Sequence, residues 1–100
     1  MTYALRPRAK ADFRSIAQYS IEQWGSERAR TYIEAINQRL VALAAGQVPA
    51  RSAHFVRQGY LMSPVGRHMI YFRRNGDGRL DVIRILHQSM NVAAQLAGDT

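Results

Sequence analysis

Apolar residues in the first half of the chain recur at steps of three and four. Ala9, Phe13, Ile16, Ala17 and Trp24 form one stripe, bridged by Ser20, and Ala29, Tyr32, Ile33, Ile36, Leu40 and Leu43 form a cleaner second one. That period is one face of an α-helix. It predicts helices over residues 8–24 and from Ser26 to about Leu43. Pro7 suits the first helical turn, where its missing N–H goes unused, and Asp12 lies toward the favourable positive end. Gly25 supplies a left-handed position at the end of the first helix, and Ser26 can cap the start of the second. Gly46 and Pro49 end the second helix. A joint this short makes the two helices an antiparallel hairpin.

The period then changes. Residues 47–58 carry Gln, Ser, Pro and basic side chains without periodicity and read as a connecting loop. Residues 59–63 read as a short strand closed by a turn at 64–66. Residues 67–74, with Tyr, Ile, Phe and Met, form a second strand. Asn75-Gly76-Asp77-Gly78 is a hairpin turn, because these residues tolerate positive φ. Residues 80–87 are the strongest strand, with strict alternation placing Leu80, Val82 and Leu86 on one face and Ile83 and Ile85 on the other. A strand apolar on both faces lies inside a sheet or is covered on both sides. Residues 3–6 form a further strand with no local partner, which must pair with this C-terminal meander. Ser89 can cap a short last helix over 90–97, and residues 98–100 fray. The prediction is a single α+β domain over residues 1–100: an N-terminal strand, a helical hairpin packed on an antiparallel sheet, and a short C-terminal helix.

Composition narrows the picture. Apolar types are 47% and charged types 21% of the 100 residues, which suits one folded core and excludes a disordered chain. There is no cysteine, so neither a disulfide framework nor a thiolate chemistry is available. The first twenty residues carry Arg6, Arg8, Lys10 and Arg14 without an apolar segment, unlike a secretory signal. The longest apolar run, residues 40–45, is far too short to span a membrane. A cytoplasmic location is the expectation. The net charge of +7 rests on fourteen cations, thirteen of them arginine. Both halves share it, so no basic tail is set apart from a neutral core. Arginine favours planar recognition of carboxylate or phosphate; a charged, solubilising surface would carry the same signature.

Four segments then carry a resemblance: Trp24-Gly25 closing a proline-started helix, Leu43-Ala44 near the end of the next, Val65-Gly66-Arg67-His68-Met69-Ile70-Tyr71-Phe72-Arg73, and Val82-Ile83-Arg84-Ile85-Leu86-His87-Gln88-Ser89-Met90. Together they resemble the ParE branch of the RelE/ParE toxin superfamily, from about Tyr3 to Leu96. Arg6 before Pro7 departs from the small capping residue common in the family, and Asn91 stands where Asp is usual. The resemblance implies the toxin half of a type II toxin–antitoxin pair, used in plasmid stabilisation or growth arrest. It implies neutralisation by a cognate, ParD-like antitoxin with an acidic C-terminal segment. ParE-like proteins act on DNA gyrase, whereas RelE-like proteins cleave mRNA on the ribosome. A family member that binds only its antitoxin, without toxicity, is a third possibility.

RNA cleavage needs a base for the ribose 2′-OH, an acid for the leaving oxygen and cations for the developing charge. The candidates are Arg84 and His87, with Arg67, His68 and Arg73 as further cations. Strand alternation sends Arg84 and His87 to opposite faces, and only Arg51, His54 and Arg57 precede the later strands as added charge. A satisfied hydrogen-bonding role suits His87, and pairing with a carboxylate or a helix C-terminus suits Arg84. Asp12, Glu22, Glu27, Glu34 and Asp81 have no metal-ligand or acid–base spacing, so neither cofactor nor metal is expected. Arg28, Arg30 and Arg39 are spread around their helix, which argues against sequence-specific DNA reading. Tyr19, Ile21, Tyr32 and Val41 lie off the main stripes. The resemblance makes Tyr19, Tyr32, Arg73 and Arg84 the antitoxin-binding candidates and His87, Met90 and Leu96 the target-binding ones. With no catalytic set assembled, gyrase inhibition by direct binding is the favoured expectation.

Overall fold

Both stripes fold as helices, α1 (Pro7–Trp24) and α2 (Ser26–Ala44). The computed structural model describes residues 3–90 and Gln95. Gly25, at φ 86° and ψ 165°, is the entire joint: its N–H donates to the Ile21 carbonyl, and its own carbonyl accepts the Ala29 N–H. That backbone conformation is essentially restricted to glycine. Gly25 therefore also occupies the cap position expected for Ser26, which is instead the first helical residue and makes no side-chain cap. Asp12 lies beyond the first turn of α1 and finds a different partner, described below. The C-terminal end of α2 is met from the sheet, where the Arg74 guanidinium donates to the Leu43 carbonyl at 2.9 Å. The same carbonyl also accepts the Gly46 N–H, and a cation at that end complements the negative pole of the helix.

Five strands follow the helices or precede them: β1 (Tyr3–Leu5), β2 (Arg51–Ser52), β3 (Leu61–Val65), β4 (His68–Arg74) and β5 (Leu80–His87). They lie in the order β1-β5-β4-β3-β2. The C-terminal meander is antiparallel as expected, but β1 joins β5 in parallel, so the sheet is mixed. No turn dictates the direction of an N-terminal strand; the path into α1 does. The Arg6 N–H extends the β1–β5 ladder to the Val82 carbonyl, and Pro7, having no N–H, ends it. The first meander strand begins two residues later than its sequence suggests and runs through Pro64, with the turn at Gly66 and Arg67. Strand β2 pairs only with Leu61 and Met62, so Pro64 sits where the outer edge is already unpaired and its missing donor is harmless.

Strict alternation fails in β5. Tyr71 pairs with Arg84 but Phe72 pairs with Val82, leaving Ile83 as the extra residue of a β-bulge. The bulge exchanges the expected faces of Ile85 and Leu86. Leu80, Val82 and Ile85 join Ile36, Leu40, Leu43, Ile70 and Phe72 beneath the helices, whereas Ile83 and Leu86 turn to the opposite face. There they pack with Ala53, Tyr60 and Tyr71 under the segment between β2 and β3. The aperiodic stretch 53–60 is thus the second cover of the sheet. Each fully buried aliphatic or aromatic side chain contributes about 1.5–3 kcal/mol. The expected helix over 90–97, including Leu96, lies outside the described residues except for Met90 and Gln95.

Candidate functional site

The histidines of β4 and β5 are brought face to face by register. Val65 and His68 flank the two-residue turn Gly66–Arg67, and His68 stands directly opposite His87. Their rings meet edge to face with centroids 5.3 Å apart. Both project toward the helices, because His68 and His87 alternate in phase with Ile70 and Ile85.

Helix α2 contributes Tyr32, whose hydroxyl is a hub. It lies 2.6 Å from His68 Nδ1, accepts the Arg67 backbone N–H at 3.1 Å, and is 3.3 Å from the Val65 carbonyl. The tyrosine ring needs Gly66 beneath it: a Cβ there would come within 2.4 Å of Tyr32 Cε1, and the φ of +55° also favours glycine. Tyr32 then meets Trp24 edge-on at 5.7 Å, and the Arg28 guanidinium lies over the Trp24 ring. On the other strand, His87 Nδ1 accepts the Ser89 N–H at 3.1 Å and lies 2.7 Å from Ser89 Oγ. A continuous row therefore runs from Trp24 through Tyr32 and His68 to His87 and Ser89.

Two clefts flank the row. One, of about 420 Å³, is lined by His68, His87, Ser15, Ser89 and the apolar side chains of Ile16, Tyr19 and Met90. The other, of about 500 Å³, lies between α2 and the Gly66 turn and includes Trp24, Arg28, Tyr32 and Arg67. Burial and the nearby His87 charge lower the pKa of His68 below its ordinary value, and Asp12 partly offsets this. Burial disfavours the charged imidazolium, and a like charge adds to the effect. No group of three or more acidic or histidine side chains among the described residues is arranged to hold a metal.

Arg84 serves the fold instead. On the outer face it is only 8% exposed, yet its side chain reaches round the sheet edge to Asp12 of α1. Nε and Nη2 donate to the two carboxylate oxygens at 2.7 and 2.9 Å, and Nη1 donates to the Gln95 carbonyl. The same carboxylate accepts the Ile85 N–H, an edge donor of β5 beyond the reach of β1. Arg84 and His87 thus lie on opposite faces, as alternation requires even with the bulge. Of the other candidates, Tyr19 is exposed at the first cleft and Met90 lines it. Arg73 is on the outer face beside Asp81, away from Tyr19 and Tyr32. The pairing of His68 with Tyr32 was missed from sequence. Its trace is the Val65-Gly66-Arg67-His68 turn, which fixes the register opposite His87.

The whole arrangement falls within residues 3–92, the stretch matched by the family described as ParE toxin of type II toxin–antitoxin system, parDE. The chain belongs to this family. It is 32% identical over 94 residues to Toxin ParE1 of Mycobacterium tuberculosis (strain H37Rv), covering 94% of this chain and 96% of that one. Toxin ParE1 of Caulobacter vibrioides is 35% identical over 94 residues, with the same coverage of each chain. A solved chain from the chromosomal ParDE TA system of P. aeruginosa superposes with a TM-score of 0.72 at 22% identity, covering 87% of this chain and 95% of that one. That likeness is one of fold. The ParE-family stretch contains Tyr19, Tyr32, His68, Arg84 and His87 but ends before Leu96. No helix among the described residues is long and apolar enough to cross a membrane.

Proposed function

We propose that this ParE-family protein is the toxin of a type II pair, held inactive by a ParD-like antitoxin and acting on DNA gyrase by direct binding. The family match across residues 3–92 carries the reading. The geometry supports binding over RNA cleavage. Arg84, the cation that a nuclease would place on the scissile phosphate, is engaged with Asp12 on the face opposite His87. A phosphate near His87 would have no arginine in its cleft.

An antitoxin has a surface suited to it. Tyr19, Ile21 and Val41 leave large apolar area exposed on the helical hairpin, and the clefts on both sides of Tyr32–His68 offer pockets for anchors. The +7 charge matches an acidic segment. The decisive assay adds purified protein to gyrase and relaxed plasmid. Supercoiling should fall and broken DNA held on gyrase should accumulate, both reversed by the antitoxin. Unchanged supercoiling at high molar excess overturns the gyrase assignment.

A further inference from the structure

The hydrogen bonds around the histidine pair constrain where the ring protons reside. His87 Nδ1 accepts the Ser89 N–H, so the proton of the neutral ring is on Nε2. The Tyr32 hydroxyl accepts the Arg67 N–H and has one proton to give, either to the Val65 carbonyl at 3.3 Å or to His68 Nδ1 at 2.6 Å. When the proton goes to His68, the neutral ring carries its own on Nε2, and a protonated His68 presents Nε2–H in either arrangement. Both Nδ1 atoms are engaged, and with His68 protonated or in the Nε2–H form the pair presents two donors. Such a pair receives an acceptor.

The cleft that the rings line selects the kind of acceptor. Ser15, Tyr19 and Ser89 add hydroxyls, Ile16 and Met90 add apolar walls, and among the described residues no acidic side chain lines it. Asp12, the nearest carboxylate of α1, is committed to Arg84 and to the Ile85 N–H. Phosphate recognition favours the arginine fork, and this arginine-rich chain places none in the cleft. A short apolar stem ending in a carboxylate matches both walls and donors.

We propose that the His68–His87 cleft seats one glutamate or aspartate side chain of a bound protein partner, its carboxylate accepting from the two imidazole Nε2–H groups. The identity of that partner rests on the antitoxin reading above; the pocket chemistry does not. Among the described residues, the titratable and charged groups around the pair are Asp12 and Tyr19 from α1, Tyr32 from α2, Arg67 from the turn and each histidine opposite the other. A carboxylate added to this set favours protonated imidazoles and cancels the repulsion between them. Binding therefore takes up protons and tightens as pH falls through the histidine range, by at most about tenfold per pH unit for each proton.

The test has two arms. In the first, the imidazole NMR signals of the full chain are followed with N-acetyl-glutamate α-amide, with N-acetyl-glutamine amide as the neutral control, and with inorganic phosphate. The carboxylate should shift both rings saturably, more strongly at pH 6 than at pH 7.5, and the amide should not. No shift, equal shifts from carboxylate and amide, or tighter binding of phosphate overturns the pocket. In the second arm, antitoxin affinity is measured for His87→Phe, which keeps a flat ring but loses the donor, and for His87→Gln, which keeps a donor but cannot take up a proton. The first variant should bind several-fold more weakly, and the second should show a shallower pH slope than the wild type, His68 still being able to take up a proton. Unchanged affinity and slope in both overturns the seat while the antitoxin reading stands. Saturable carboxylate binding by a chain that ignores the antitoxin supports the pocket and overturns the partner.

Discussion

His68 is poised between two hydrogen-bonded states. When neutral it can accept from Tyr32, and when protonated it can donate to the Tyr32 oxygen while that hydroxyl donates to the Val65 carbonyl. Burial and His87 still favour the neutral form in the folded protein. The unfolded chain therefore binds the proton first as pH falls, and stability declines as pH drops below the ordinary histidine value of 6.5 toward the lower folded value. Above 6.5 the contribution is fully present. Thermal melts between pH 7.5 and 5 should show this decline, and His68→Gln should flatten it; an equally steep variant would assign the dependence elsewhere. Gly66 is the complementary residue-scale requirement, since only a residue without Cβ leaves room for the Tyr32 ring.

Between elements, the Asp12 carboxylate is the fastening of α1 to the sheet. It pairs with both sides of the Arg84 fork and takes up an edge N–H of β5, so one carboxylate satisfies three donors at a place where β1 has ended. Removing one member takes the ion-pair partner from a buried charge, a change that costs up to about 3–5 kcal/mol. Asp12→Asn should therefore lower the urea midpoint markedly without altering His87, and a loss below about 1 kcal/mol would show that water replaces the carboxylate readily. The bulge at Ile83 belongs to this arrangement. It carries Arg84 on the outer face and restores Ile85 and His87 to the helical face, so the core and the histidine pair keep their positions.

Across the whole molecule, the charge and the exposed apolar surface point to association. The cations are distributed over helices, turns and strands, and several are internal fastenings: Arg84 on Asp12, Arg74 on the Leu43 carbonyl, and Arg6 and Arg73 beside Asp81. The remaining surface charge should steer an acidic antitoxin. Raising salt from about 0.1 M to about 1 M shortens the Debye length from about 10 to about 3 Å. Antitoxin affinity, measured by calorimetry, should weaken several-fold over that range, chiefly through a slower association rate. A flat response would confine the arginines to structural and solubilising roles.

The sequence by itself determined the two helices of the hairpin, the position of the joint at Gly25, the order of the meander and the family, because periodicity and turn chemistry are local. The strand 80–87 was legible to the residue for the same reason. Three features were decided only by tertiary structure. The direction of β1 depends on a partner 75 or more residues away, and nothing in residues 3–6 encodes it. The bulge arises where Tyr71 and Phe72 choose their partners, so alternation read along one strand misassigned Ile85 and Leu86. The candidate site joins Tyr32 of α2 to His68 of β4 and His87 of β5, whose spacing in sequence bears no relation to their contact. Long-range pairing follows from packing both faces of the sheet at once, and packing is a property of the folded chain rather than of any segment in it.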